Sequence, residues 1–196
     1  PLGVASHFEG VKRSVVIGGG LGTAIAYPQA KALGEHGAQV DMIVGFRNKG
    51  LIMLEEEFAA VSDRLFITTD DGSNGKKGFV SDVLRELLEA GEAYDLVVAI
   101  GPVMMMKVVC DITRPYGIHT VVSMNSIMVD GTGMCGCCRV TVGGETKFAC
   151  VDGPDFDGHL VDFDEALRRG AMYRKEEAES LEQHVCRLTG EVRSHA

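Results

Sequence analysis

At 196 residues and 45% hydrophobic, the chain is long enough for one full core and a small satellite. A formal net charge of −9 and only 6% aromatic residues argue against nucleic-acid binding, because neutralising phosphates needs a basic face that this composition does not supply. No apolar run reaches the ~18 residues of a spanning helix, and the amino end, PLGVASHFEGVKR, lacks the apolar stretch of a signal peptide, so the expected setting is the cytoplasm with no membrane contact.

Residues 14–18 (SVVIG) form an apolar run that flows into GGGLGT and then into a helix-compatible segment, AIAYPQAKALGEHG. The order reads as strand, glycine turn, helix, with the helix expected to start within a few residues of Pro28, since an interior proline loses a hydrogen bond. Residues 39–45 (QVDMIVG) are a second strand, and LIMLEEEFAAVSD is a helix by the spacing of Leu51, Leu54, Phe58 and Val61. Residues 64–69 (RLFITT) are a third strand. After the polar loop DDGSNGKKG, the segment FVSDVLRELLEAGE places Phe79, Val80, Val83, Leu84, Leu87 and Leu88 on one helical face. A fourth strand, 96–100 (LVVAI), runs into Gly101-Pro102, then VMMMKVVCDITRPYG is a helix, with Met104, Met105 and Met106 as core, and HTVVSM a fifth strand.

Buried strands alternating with helices predict an α/β fold, a doubly wound parallel five-stranded sheet with helices on both faces. From about Met128 this alternation stops. A hairpin of RVTV and TKFA around Gly143-Gly144 is expected, then an acidic stretch with six carboxylates, VDGPDFDGHLVDFDEA, and a charged terminal helix from about Phe163 to Leu188. The expected division is a nucleotide-binding domain over 1–125 and a cysteine-bearing lobe with its terminal helix over 126–196.

Ligands of doubly wound folds bind at the carboxyl ends of the strands, so one rim is expected to carry Gly19, Gly20, Leu21, Gly22 and Thr23, then Arg47, then Asp70, Asp71 and Gly72, then Gly101 and Pro102. Glycines let a pyrophosphate approach the backbone, and the following helix supplies N–H groups. The spacing G-G-G-x-G departs from the usual G-x-G-x-x-G, and a ligand-free connection is the alternative. For Arg47 the alternative is a solvated surface residue, and for Asp70 and Asp71 a capping role. Arg47 and Lys49 suit a 2′-phosphate, while Asp70 and Asp71 repel one, so the residues leave NADH against NADPH open.

Of six cysteines, Cys110 and Cys186 stand alone, whereas Cys135, Cys137, Cys138 and Cys150 fall within sixteen residues. With Asp130 they give D-x4-C-x2-C-x11-C, the ferredoxin spacing C-x4-C-x2-C plus a distant cysteine, with aspartate in the first place. That pattern points to a [2Fe-2S] cluster. Zinc is the rival, although zinc ribbons bring two C-x2-C pairs and Cys150 has no paired neighbour.

The motifs GGGLGTAIAYP, TTDDGSNGKKGFVSDVL, AIGPVMMMK, MVDGTGMCGCCRVTVGG and KFACVDGPDFDGHLVDFDE together resemble one family. It is the small (alpha) subunit of NADH-dependent reduced ferredoxin:NADP oxidoreductase, also called the ferredoxin-NADP reductase or sulfide dehydrogenase electron-transfer subunit. The electron-transfer subunit of dihydroorotate dehydrogenase is a more distant relative, with cysteine where this chain has Asp130. The resemblance implies a ferredoxin reductase-like NAD-binding domain using NAD(H) or NADP(H), with NADH favoured, and a [2Fe-2S] lobe. It implies cluster ligands Asp130, Cys135, Cys138 and Cys150, with Cys137, where the family has a small residue, as a spare thiol. FAD is expected only with a flavin-binding barrel that the family carries before its PLG segment. The implied partners are a larger iron-sulfur flavoprotein subunit, ferredoxin, or both, with no side chain acting as acid, base or nucleophile. The acidic stretch is expected to add negative charge near the cluster or to dock a basic partner, or else to be a solvated loop. The rival from another class is a non-catalytic nucleotide- or zinc-binding regulatory module.

Overall fold

Strands that are apolar on both sides must be covered on both sides, and this requirement organises the chain. In the computed structural model, which describes residues 2–182, the elements run β1 (Arg13–Gly19), α1 (Gly22–Glu35), β2 (Gln39–Phe46), α2 (Glu55–Val61), β3 (Arg64–Thr69), α3 (Val80–Glu89), β4 (Leu96–Ile100) and α4 (Val103–Thr113). They continue as β5 (His119–Ser123), β6 (Arg139–Val142), β7 (Glu145–Phe148), β8 (Asp155–Asp157), α5 (Phe163–Gly170) and α6 (Arg174–Glu182). Val16, Met42 and Val98 pack with Ala26, Ala30 and Leu33 of α1 and Phe58 of α2 on one face. Val15, Ile17, Ile43 and Val97 pack with Val83 and Leu84 of α3 and Met106 and Val109 of α4 on the other. That second core runs on into the cysteine lobe through Cys138, Val140, Ala149, Cys150 and Val161.

The strand order is β3-β2-β1-β4-β5-β8, so the order reverses between β1 and β4. The five expected strands are present and parallel, but the sheet has six. The sixth, β8, lies antiparallel on β5 with Phe156 opposite Val122, and Phe156 buries its ring there. β6 and β7 form the expected hairpin.

Three helical expectations are corrected. Pro28 lies inside α1, which starts at Gly22. The glycine turn fixes that start, and burial of Ala26, Ala30 and Leu33 offsets the hydrogen bond lost at the proline. The helix expected from Leu51 begins only at Glu55, because Lys49–Leu51 is a separate 3-10 turn and Leu54 sits at φ 56, where no helix propagates. The terminal helix is interrupted: α5 ends at Gly170, a turn follows, and α6 begins at Arg174. Its expected continuation to Leu188, and Cys186 with it, lie outside the described residues.

Candidate functional site

The carboxyl ends of β1 and β4 meet where the strand order reverses, which is where doubly wound sheets open a ligand crevice. Backbone lies on backbone there. A Cβ on Gly22 would stand 2.4 Å from Ile100 O, and one on Gly101 would stand 3.1 Å from Gly19 Cα. Gly22 is therefore required by packing whether or not a ligand binds, and so is Gly18, whose Cβ would stand 2.7 Å from Thr23 Cα. Gly20 differs: its φ is +56 and its Cβ would meet open space. Leu21 is 81% exposed beside it. Thr23 is fully buried and its hydroxyl donates to Gly20 O at 2.8 Å, so it braces the turn from inside.

The rim is continuous through main-chain bonds. Gly20 N–H donates to Gly45 O (2.8 Å), Asp70 N–H to Phe46 O (3.0 Å) and Asp71 N–H to Arg47 O (3.3 Å). The exposed Arg47 and Asp70 are thereby held side by side. Asp71 Oδ1 accepts from the N–H and hydroxyl of Ser73 at 2.9 and 2.7 Å, which holds its carboxyl below the usual range. It caps its own turn, whereas α3 is capped by Asp82, whose carboxylate accepts from Phe79 N–H at 2.9 Å. Of the three methionines read as core, Met106 is buried, Met105 is partly buried against Gly19 and Gly101, and Met104 is 53% exposed.

In the cysteine lobe, Cys138 and Cys150 sit at 2% and 4% exposure, carried on the buried ends of the hairpin. The N–H of Cys150 donates to Cys138 Sγ at 3.4 Å, and hydrogen bonding between the two thiols pushes the Cys150 pKa up. The N–H of Cys137 donates to Cys135 Sγ at 3.4 Å. Asp130 and Cys135 lie on the exposed side of the loop. Asp130 accepts from Thr132 N–H at 2.8 Å and Cys135 N–H at 2.9 Å, and these bonds hold its carboxyl below the usual range. The loop turns on Gly131, Gly133 and Gly136, all at positive φ. The donors thus stand as two adjoining pairs, and among the described residues no group of three or more His, Cys, Asp or Glu converges as a closed metal set. Three sulfurs and one carboxylate on a loop lined with N–H groups are donor chemistry that fits an iron–sulfur cluster.

Two arginines that are not among the candidate ligands also hold the loop. Arg139 Nη1 donates to Gly136 O (3.1 Å) and Arg169 Nη2 to Cys137 O (3.0 Å). Arg169 is remote in sequence, so no local spacing announces it. The acidic stretch is occupied at home. Asp152 accepts from Phe148 N–H, Asp155 from Ser6 and Gln29, Asp157 from His159 N–H and Asp162 from Glu165 N–H, while Asp164 pairs with Lys107. These bonds give five of its six carboxylates local structural roles.

Residues 125–162, which include Asp130, Cys135, Cys138 and Cys150, match the iron-sulfur cluster binding domain of dihydroorotate dehydrogenase B. The dihydroorotate dehydrogenase B (NAD(+)) electron transfer subunit homolog of Thermotoga maritima is 48% identical over 94% of this chain and 65% of its own length. A chain in the solved NADH-dependent reduced ferredoxin-NADP oxidoreductase superposes with TM-score 0.85 at 47% identity, over 93% of this chain and 66% of that one. Over nearly its whole length the chain is similar to electron-transfer subunits of this kind. An uncharacterized protein in the adh 3′ region of Clostridium beijerinckii is 53% identical over 92% of this chain and 64% of its own length. The chain spans just under two thirds of the length of these curated relatives. Among its described residues no helix is long and apolar enough to cross a membrane.

Proposed function

We propose that this chain is the electron-transfer part of a ferredoxin-NAD(P) reductase-type oxidoreductase, holding a [2Fe-2S] cluster on Asp130, Cys135, Cys138 and Cys150 and binding NADH along the β1–β4 rim. The observation that carries the reading is the cysteine lobe itself: two buried thiols in contact, with a third thiol and a carboxylate on the glycine loop beside them. When bound, nicotinamide, FAD and the cluster supply the hydride and single-electron chemistry. The chain's own residues position and shield. Gly20, Leu21 and the head of α1 receive the pyrophosphate, Gly101-Pro102 closes the opposite wall, and Arg47 with Asp70 faces the ribose end. Val140, Ala149 and Cys138 exclude water from the buried side of the cluster. The domain division at 125/126 separates these two tasks, although both rest on one core. FAD belongs to a barrel domain of the family, and the partner is a larger iron-sulfur flavoprotein subunit, ferredoxin, or both. The setting is the cytoplasm, where thiols stay reduced.

Calorimetric titration with NADH and NADPH tests the rim. Gly20→Asn keeps a residue type that tolerates the left-handed region and adds a side chain to open space, so the fold should persist. NADH affinity is expected to fall roughly tenfold, ~1.4 kcal/mol, with iron content unchanged. Unaltered affinity would reduce the glycine turn to a connection. Gly22 does not serve this test, because a side chain there collides with Ile100 and Gly101 before any ligand arrives.

A further inference from the structure

The two arginines on the cluster loop hold consecutive peptide groups. The carbonyl of Gly136, which accepts from Arg139, belongs to the same peptide unit as the Cys137 N–H that points at Cys135 Sγ. In a trans peptide these two groups point opposite ways, so the guanidinium stands behind a donor whose front faces the sulfur. A carbonyl polarised by a cation makes its own N–H a stronger donor. The next carbonyl, Cys137 O, is held by Arg169 from α5.

That helix is a firm base. Asp162 caps it by accepting from Glu165 N–H at 2.8 Å, Phe163 is 7% exposed, and Asp164 pairs with Lys107 of α4 at 2.5 Å. Arg169 is half-buried where it meets the loop, while its neighbour Arg168 carries the same charge exposed to solvent. Arg139 cannot fix the loop alone, because it is exposed and bonds only three residues back along its own segment.

We propose that Arg169 is a positioning residue for the cluster loop: by clamping the Cys137 carbonyl beside the Arg139 contact, it fixes the Cys137 N–H on the Cys135 sulfur and keeps the cluster's reduction potential higher than the ligands alone would set. This rests on the reading that the loop holds a [2Fe-2S] cluster. Reduction adds one negative charge, and a donor aimed at a ligand sulfur together with a fixed cation stabilises the reduced form more than the oxidised one.

The experiment uses the full chain reconstituted anaerobically, with iron content, thermal melting and a redox titration followed in the visible spectrum. The variants are Arg169→Gln, Arg169→Lys, Arg139→Gln and Arg168→Gln. Arg169→Gln and Arg139→Gln are expected to shift the midpoint to more negative potential, Arg169→Lys to recover part of the shift, and Arg168→Gln to leave it in place. A wild-type midpoint in Arg169→Gln, or an equal shift in Arg168→Gln, overturns the proposal, the second because it would reduce the effect to net charge. Loss of iron from Arg169→Gln alone, at unchanged melting temperature, supports the clamp, and equal loss from Arg168→Gln overturns it. Wild-type protein that takes up no iron removes the cluster reading itself, a result distinct from a loaded protein with an insensitive potential.

Discussion

Asp130→Ala is expected to strip most of the iron from the reconstituted protein. The substitution removes two things at once. One is the anionic donor at the first position of the ligand pattern. The other is the acceptor for the N–H groups of Thr132 and Cys135, which the carboxylate holds at 2.8 and 2.9 Å across a loop that turns on Gly131 and Gly133. Losing a ligand should cost at least the ~10–100-fold in metal affinity that loss of an outer-shell partner costs. Asp130→Cys should still assemble a [2Fe-2S] cluster, now on four thiolates, at a changed potential, because carboxylate is a harder donor than thiolate. Cys137, whose N–H already contacts Cys135 Sγ, is the thiol placed to intrude when Asp130 is lost. Asp130→Ala/Cys137→Ala should therefore hold less iron than Asp130→Ala. If both variants match wild type in occupancy, spectrum and potential, Asp130 is not a ligand.

Asp41→Asn is expected to cost about 3 kcal/mol, the low end of the range for removing one partner of a buried ion pair, because Asp41 is buried while its partner Arg64 is 40% exposed. The amino ends of β1, β2 and β3 carry a charge network far from the rim. Arg64 grips both oxygens of Asp41 at 2.8 and 2.6 Å and reaches Glu92 at 2.8 Å. Tyr94 donates to Asp41 at 2.7 Å, and Arg13 pairs with Glu92 at 2.6 Å. The Asp41 side chain is only 6% exposed. Burial alone would raise its pKa, but the hydrogen bonds from Arg64 and Tyr94 outweigh burial and hold it below the ordinary range. A depressed carboxylate stabilises the fold above its unfolded pKa of about 3.9, and the contribution is lost as pH falls through the lower folded value. The variant should therefore melt about 6–12 °C lower at neutral pH, and the gap to wild type should close on acidification below about pH 4. A melting temperature within a degree or two of wild type at pH 7 would show that the network adds no net stability.

The parallel strands were legible because strands buried on both faces leave continuous apolar runs such as SVVIG and LVVAI. β8 was not. It is three residues, Asp-Phe-Asp, whose one buried ring is visible only once β5 offers an edge. Pro28 and the α2 segment were misplaced for one reason: local preference was weighed without the sheet that α1 packs on, or the left-handed Leu54 that delays α2. Asp130, Cys135, Cys138 and Cys150 could be picked out as candidates because their spacing is local. The glycines were readable as a turn, but sequence could not separate Gly22, forced by Ile100, from Gly20, which faces open space. Thr23 is expected on the ligand rim and is buried beneath it. Arg169 gave no signal, since a helix distant in the chain delivers it to Cys137. The acidic stretch reads in sequence as a charge field, a docking face or a solvated loop, whereas capping and pairing account for five of its carboxylates.

The most direct test of the central claim is elemental and sulfide analysis of the chain after anaerobic isolation and reconstitution, read beside its visible spectrum. About two irons and two acid-labile sulfides per chain are expected, as a single [2Fe-2S] ligand set requires, in a red-brown protein. Stoichiometric zinc in a colourless protein that takes up no iron would contradict the claim.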